Sequence, residues 1–269
     1  MKNDLFDTAW EILNIADPQQ KVTLTFAAVN TFSQNPSLLE NSDSSSATHK
    51  LEVPGRPDNP KLVQPRELPR RALNSLEGRA TLLHAICHIE FNAINLAWDA
   101  MYRFRDMPAQ YYLDWMKVAK EEAEHFSLLR DYLLELGFAY GDFPAHNGLW
   151  EMAVETDHDV LIRMALVPRV LEARGLDVTP GIMKKFASVN DIRANEILTI
   201  IQEEEIGHVE IGSHWYRYCC EQRGVDHDKV FRELMQQYLK SSIKKPINHA
   251  ARLKAGFTQK ELDFFENNI

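Results

Sequence analysis

The pattern of apolar and polar positions is helical along almost the whole chain. Apolar residues recur three and four positions apart, whereas strand-like alternation of β-branched residues is rare. Two short amphipathic helices are predicted at residues 2–15 and 18–33, and Asp17 and Pro18 supply the cap and first turn of the second. The pattern therefore predicts an all-α protein.

Two long helices with a short connection are predicted next. The first covers residues 70–105 and ends before Pro108, and the second continues to about residue 136, where Gly137 closes it. A connection this short makes the pair an antiparallel hairpin. Two further long helices are predicted to form a second hairpin, with its tip at residues 188–191.

The segments outside these hairpins have a different composition. Residues 33–50 are rich in Ser, Asn, Asp and Thr, which predicts a long exposed loop. Residues 51–71 contain five prolines and should run extended over the surface. We therefore expect N-terminal helices, loop and proline-rich wrap at 1–69, a four-helix bundle at 70–225, and a C-terminal helical extension at 226–269.

Glutamate and histidine recur along the predicted bundle in a two-fold pattern. Each half has one glutamate followed, 32 or 33 positions later, by a Glu-x-x-His motif. The six residues are Glu90, Glu122, His125, Glu172, Glu205 and His208. Residues three positions apart share a helix face, so that each motif can present a carboxylate and an imidazole to one metal ion. Bundles that bind two metal ions take their ligands in this way, and the spacing predicts a dimetal site.

The helix faces on which these acids lie favour ligation over surface charge. Glu90, Glu122 and Glu205 each lie on an apolar stripe, where an acid is costly to bury unless it is paired or bound to a cation. Glu172 has a more mixed face, and a surface ion pair with Arg169 is the alternative for it.

Ligands from the two helices of a hairpin must also lie at the same height. Glu90 and Glu122 each lie 16 residues from Asp106, on opposite sides of it, so they are level in the first hairpin. In the second hairpin, Glu172 and Glu205 are level only if the helix does not end at Gly175 but resumes over residues 182–187, after residues 175–181. We therefore predict a break or bulge there, where Thr-Pro-Gly interrupts the helical pattern.

A third Glu-x-x-His motif, Glu155 to His158, is interpreted as a bystander. About one such motif is expected by chance in a chain of this composition. The motif lies where a helix should begin, beside Thr156, Asp157 and Asp159. Its replacement should therefore leave metal binding unchanged.

Composition narrows the class of protein. The net charge of −9 argues against a broad nucleic-acid or membrane-binding surface. The three cysteines, Cys87, Cys219 and Cys220, lack metal-type spacing and indicate a reducing compartment. Neither an apolar signal segment nor a stretch of about 20 apolar residues is present. We expect a cytoplasmic protein that does not bind membranes.

Several stretches of the sequence resemble ferritin-like diiron carboxylate proteins. They are PGRP at 54–57, HIEFNAI at 88–94, EEAEH at 121–125, VLEARGLD at 170–177 and EEEIGHVEIG at 203–212. The likeness covers most of residues 51–220 and is greatest to a bacterial ferritin-like family of unassigned function. A more distant likeness to tRNA-modifying diiron hydroxylases rests on the Glu-Ala-Arg stretch. The insertion at 176–181 and the N-terminal wrap depart from that pattern.

The resemblance implies a ferritin-like antiparallel four-helix bundle that binds two iron ions, with manganese as the alternative. It implies that Glu122 and Glu205 bridge or chelate the metals, that Glu90 and Glu172 are terminal carboxylates, and that His125 and His208 give one imidazole to each metal. Such a site suits an oxygen-dependent oxidase or hydroxylase. The alternatives are an iron-storage protein, a manganese enzyme that removes peroxide, and a metal-free interaction bundle.

The expected partners follow from this function. They are dioxygen, a small-molecule or anionic substrate, an electron-donor protein and further copies of the chain in a small homo-oligomer, and tRNA is the one nucleic acid left open. A basic cluster, Arg56, Arg66, Arg70 and Arg71, is interpreted as forming salt bridges to an acidic bundle, with a gate for an anionic substrate as the alternative.

The remaining polar and aromatic residues near the motifs are interpreted as structural. His84 and His88 point away from Glu90 by helical angle and should form hydrogen bonds between elements, and His214 lies off the ligand face. Trp115 and Tyr216 lie on the ligand stripes as core side chains, with an electron relay as the alternative.

Overall fold

The computed structural model describes residues 4–69, 72–239 and 244–267. Within these ranges every regular element is a helix, and the β-type pairing consists of one isolated parallel bridge between Leu62 and Ala145. The all-α prediction is confirmed.

No helix of the described ranges is both long and apolar enough to cross a membrane. The chain forms two compact units, Met1–Val154 and Glu155–Ile269, and the predicted divisions near residues 69 and 225 stay predictions.

The first unit contains two N-terminal helices, a long segment with little helix, and a helical hairpin. Its helices are α1 (Leu5–Asn14), α2 (Pro18–Gln34), α3 (Ser37–Glu40), α4 (Leu76–Arg103), α5 (Ala109–Glu135) and α6 (Gly148–Glu155), with a 3₁₀ turn at Pro65–Glu67. The bounds of α1, α2 and α5 agree with the predictions to within a few residues. The first residues of the predicted α1, 2 and 3, lie outside the described part of the chain.

Helices α4 and α5 form the predicted hairpin and pack along each other. Ser75 caps α4, because its Oγ accepts the N–H of Gly78 at 3.0 Å. Residues 72–75 are not helical, so α4 begins later than the predicted residue 70. Positions 70 and 71 lie outside the described part of the chain. At the far end of α5, Gly137 adopts a φ of +85°, which favours glycine and ends the helix.

The segment before α4 crosses the first unit largely without helix. The predicted exposed loop at 33–50 contains α3 and is otherwise mostly exposed, and the proline-rich residues 51–64 run without helix. Gly55 fastens this segment, because its N–H donates to the carbonyl of Leu13 at 2.7 Å. A Cβ at this position would lie 2.4 Å from the carbonyl carbon of Asn14, so only glycine allows this approach.

Lys21, on α2, is a buried lysine in this unit, and it makes the free energy of unfolding depend on pH. Its Nζ donates to the carbonyl of Leu13 at 3.4 Å and to Oδ1 of Asn95. Burial lowers the pKa of Lys21 from 10.5 to about 7. Between these values the unfolded chain holds a proton that the folded chain has released, so stability rises with pH by at most about 1.4 kcal/mol per unit.

Replacing Lys21 with methionine is expected to remove this pH dependence. The measurement is the free energy of unfolding in urea at about pH 7.5 and about pH 9. The natural chain should gain more stability over this interval than Lys21→Met, because only the natural chain carries the depressed lysine. An equal gain in both proteins would contradict the assignment to Lys21.

The second unit contains another helical hairpin and the C-terminal helices. Its elements are α7 (Val160–Leu166), a π-helical segment (Val167–Glu172), α8 (Ala173–Ser188), α9 (Ile192–Arg223), α10 (His227–Tyr238), α11 (His249–Lys254) and α12 (Gln259–Asn267). The predicted tip at residues 188–191 is confirmed. Asp191 caps α9 there, where its Oδ1 accepts the N–H of Ala194 at 3.1 Å.

The predicted interruption at residues 175–181 is wrong. Helix α8 runs through these residues without a break and contains Pro180 on a half-exposed side. The irregularity lies earlier, in the π-helical segment. Pro168 has no N–H to donate, and in a regular α-helix its ring would clash with the carbonyl of Met164, so the chain widens at this point. A π-helical turn contains one residue more than an α-helical turn. This additional residue therefore precedes Glu172, whereas the predicted break at residues 175–181 would have followed it.

Candidate metal centre

Three of the predicted ligands meet inside the first unit. Glu90 on α4 and Glu122 and His125 on α5 form what we call the first half-site, and all three side chains are buried. The Nδ1 atom of His125 lies 3.4 Å from Oε2 of Glu90 and 3.5 Å from Oε2 of Glu122. Each residue offers one ligand atom within 4.8 Å of the others. The prediction that Glu90 and Glu122 are level in the hairpin is thereby confirmed.

The electrostatics of the first half-site fit a bound cation. Burial, reinforced by the charge of Glu122, raises the pKa of Glu90 to about 8. The buried Oε2 atom of Glu90 has no well-formed hydrogen bond from a described residue, since Nδ1 of His125 stays 3.4 Å away. Two buried carboxylates side by side are costly unless a positive charge compensates them. A divalent metal ion would supply that charge, and the imidazole could serve as its third ligand.

Aromatic side chains that are near the first half-site in sequence pack in the core of the first unit. The rings of Phe91 and Phe126, which follow Glu90 and His125 in sequence, lie 5.4 Å apart. Trp115 is buried and packs edge-on against Tyr111, with 6.2 Å between their ring centroids. The expectation that Trp115 belongs to the core is confirmed, and its role as an electron relay stays a prediction.

The other three predicted ligands lie in the second unit, and we call them the second half-site. Glu205 and His208 lie on α9, and Nδ1 of His208 is 3.6 Å from Oε1 of Glu205. His208 is fully buried, and the buried Oε2 atom of Glu205 accepts no hydrogen bond from a described residue. Glu172 is half-buried at the end of the π-helical segment, which packs against α9.

Arg169 does not lie on the surface, so the alternative of a surface ion pair between Glu172 and Arg169 is wrong. Arg169 is fully buried and donates from Nη2 to Oε1 of Glu261 at 2.7 Å. Sequence reasoning missed this pair, because the two residues are 92 positions apart. A buried position for Arg169 could have been suspected only from the apolar residues on either side of it.

The residues interpreted as bystanders lie where metal binding is not expected. Glu155 and His158 are both exposed, and His158 lies 4.0 Å from Asp157. His84 and His88 bind the segment after α5, as expected. Nε2 of His84 accepts the N–H of Gly141 at 2.8 Å, and Nδ1 of His88 shares a hydrogen bond of 2.9 Å with the hydroxyl of Tyr140. These contacts hold the segment after α5 against α4.

Three further sequence interpretations concern His214, Tyr216 and the arginine cluster. His214 is exposed, and the hydroxyl of Tyr216 donates to the carbonyl of His227 at 2.6 Å as part of the core. Within the described residues, neither Arg56 nor Arg66 forms an ion pair, so the predicted salt bridges are not found for them. Positions 70 and 71 of the cluster lie outside the described ranges.

A second group of acids and histidine in the second unit is unsuited to a metal ion. His227, Asp228 and Glu261 bring possible ligand atoms within 4.8 Å of one another. Both carboxylate oxygens of Glu261 are already used, because Oε1 accepts from Arg169 and Oε2 accepts the N–H of Thr258 at 2.8 Å. The group therefore stabilises the C-terminal helices.

Comparisons with known proteins extend over nearly the whole chain. Residues 14–263 match a family described as "Protein of unknown function (DUF455)". A curated protein of Haemophilus influenzae, described as an uncharacterized protein, is 46% identical over 259 residues, which cover 94% of this chain and 90% of that one. No solved structure matches the chain significantly.

Proposed function

The chain belongs to the DUF455 family of proteins of unknown function, and we propose that it is a diiron carboxylate protein that uses dioxygen to oxidise or hydroxylate a substrate. The observation that carries the proposal is the first half-site. There, two buried carboxylates and an imidazole converge, and one buried carboxylate oxygen of Glu90 has no well-formed hydrogen bond from any described residue.

The second half-site supports a centre for two metal ions. Glu172, Glu205 and His208 repeat the residue types of the first half-site at almost the same spacing. Four-helix proteins that bind two metals take one glutamate from each of two helices and a Glu-x-x-His motif from each of the other two. We therefore propose that the two half-sites contribute equally to one dimetal centre.

The ligand types favour iron or manganese. Each metal would receive mainly carboxylate oxygens and a single imidazole, a set that suits these metals, and no thiolate is part of it. Two ferrous ions, when bound, supply two electrons for the reduction of dioxygen. The resemblance of the motifs to ferritin-like diiron proteins supports iron over manganese.

The residues of the chain have distinct roles in this proposal. Glu122 and Glu205 would bridge or chelate the metals, Glu90 and Glu172 would bind as terminal carboxylates, and His125 and His208 would each bind one metal, as the resemblance implies. The half-buried position of Glu172 supports substrate access on its side, whereas Glu90 is enclosed by the core. The π-helical backbone before Glu172 supports a carboxylate that can shift when substrate arrives.

The substrate, the electron donor and the cellular location of the protein are also proposals. The half-buried Arg56 supports the alternative of an anionic substrate, and an electron-donor protein would restore the ferrous state after each reaction. Cys87, Cys219 and Cys220 form no disulfide, which supports the proposed cytoplasmic location. Storage of iron, removal of peroxide with manganese, and a metal-free interaction bundle are the competing functions.

Metal analysis of the purified protein tests the proposal. After growth with added iron, native mass spectrometry and elemental analysis should find about two iron ions per chain, which a strong chelator removes and ferrous iron restores. Protein that binds neither iron nor manganese after this treatment would contradict the proposal. Two manganese ions in place of iron would favour the peroxide-removing enzyme.

A further inference from the structure

The π-helical segment Val167–Glu172 is fixed at two adjacent residues. The first is Pro168, whose ring lies directly against Gly212 on α9. A Cβ on Gly212 would lie 2.4 Å from Cβ and Cγ of Pro168, so even alanine would push the segment away. The contact therefore requires glycine at 212 and fixes the distance between the segment and α9.

The second fixed residue is Arg169, which enters the core of the second unit. Its Nη2 donates to Oε1 of Glu261 on α12 at 2.7 Å, and its Nε donates to Oγ of Ser213 on α9 at 3.1 Å. Its guanidinium carbon lies between 4.3 and 4.7 Å from three ring centroids, those of Tyr216, Phe231 and Phe257. A charge enclosed in this way has few alternative positions, because any movement would leave it buried without its carboxylate.

These contacts set the position of Glu172 along the axis of α9. Helices α8 and α9 are joined by the short tip and run antiparallel, so one turn forward along the π-helical segment corresponds to one turn back along α9. Glu172 lies four residues after Pro168, and His208 lies four residues before Gly212. Contact between Pro168 and Gly212 therefore places Glu172 level with His208.

The contacts also set the direction in which Glu172 points. A π-helical segment holds one residue more than the α-helix it replaces. If the segment relaxed to an α-helix, Glu172 would rotate by about one residue position, which is roughly 100° around the axis. A rotation of this size would change the direction of the carboxylate relative to α9 by about a quarter of a turn.

We infer that the Arg169–Glu261 ion pair and the Pro168–Gly212 contact are positioning elements of the second half-site, and that α12 is thereby needed for the full metal affinity of that half-site. This inference rests on the proposed dimetal function. Arg169 and Glu261 act through the backbone of the segment and do not touch the metal. Their loss should weaken the second half-site and leave the first half-site intact.

Two substitutions test the inference in the full-length protein. Glu261→Gln removes the charge that holds Arg169 and keeps an oxygen for the N–H of Thr258, whereas Gly212→Ala displaces Pro168 without changing any charge. The matched control is Asp99→Asn in the first unit, which neutralises the carboxylate of another buried pair, with Arg103 at 2.7 Å. Circular dichroism and urea unfolding establish that each variant folds.

The measurement is titration of each metal-free protein with manganese(II), followed by native mass spectrometry. The natural chain and Asp99→Asn should bind two ions. Glu261→Gln and Gly212→Ala should keep one ion and bind the other about 10- to 100-fold more weakly, the range for residues that orient ligands. Hydrogen exchange at residues 167–172 should also be faster in these two variants. If both fail to fold, Ser213→Ala, which removes one hydrogen bond from Arg169, should show the same changes to a smaller extent.

The outcomes separate this inference from the proposed function. Two ions bound with unchanged affinity in the folded variants would overturn the positioning role and leave the dimetal proposal standing. Unchanged hydrogen exchange at residues 167–172 would also overturn it, because the segment would then not depend on these contacts. A natural chain that binds no ion would defeat the proposed function, and with it the role given to Glu172.

Discussion

Replacing Glu122 with alanine is expected to remove most of the bound metal. Glu122 is fully buried beside Glu90 and His125, and we propose it as a bridging or chelating ligand. Even residues that only orient ligands change affinity by about 10- to 100-fold, and a direct ligand should have a larger effect. Elemental analysis of the purified variant should find less than about a tenth of the metal of the natural chain.

Two further variants make this result specific. Glu122→Gln keeps the volume of the side chain and should also lose most of the metal, which excludes a packing effect. The double variant Glu155→Ala/His158→Ala alters the exposed third motif and should retain the metal of the natural chain. Equal metal loss in the double variant and in Glu122→Ala would show that the wrong motif has been assigned.

Iron uptake is expected to stop at about two ions per chain. The proposed centre has six ligands, enough for two metals, whereas storage needs many chains assembled around a mineral. Ferrous iron added without oxygen and then exposed to dioxygen should be oxidised rapidly at a few equivalents per chain, and further iron should not be taken up. Absorbance after rapid mixing and elemental analysis after gel filtration measure this limit.

A storage function would give a different result in the same experiment. Excess ferrous iron would continue to be taken up to hundreds of ions per particle, and light scattering would detect a shell-sized assembly. That outcome would replace the oxidase proposal with iron storage. The Glu122→Ala variant is the control, because its slow oxidation should equal that of iron in buffer.

The first half-site could be predicted from the sequence because its geometry depends on short-range rules. The helical period places Glu122 and His125 on one face, and the short connection between α4 and α5 brings Glu90 to the same height. The cost of burying an acid identified these residues among many surface glutamates. No contact distant in sequence was needed for this part of the interpretation.

The π-helical segment could not be predicted, because its place depends on a contact between Pro168 and another helix. Gly and Pro at residues 175–181 are the stronger local signal for a break, yet α8 continues through them. Pro168 widens the helix instead, at a place where Gly212 leaves room for its ring. Similarly, Arg169 lies three positions before Glu172, which suggested a local ion pair between them. The partner of Arg169 is instead Glu261, which is distant in sequence. Local patterns carry no information on such contacts.

Anomalous diffraction from crystals of the iron-loaded protein tests the central claim most directly. Data collected on either side of the iron absorption edge should give two strong peaks per chain. One peak should be bounded by the first half-site, Glu90, Glu122 and His125, and the other by the second half-site, Glu172, Glu205 and His208. A map without peaks at these carboxylates, or with its strongest peak at another group such as His227 and Asp228, would contradict the account.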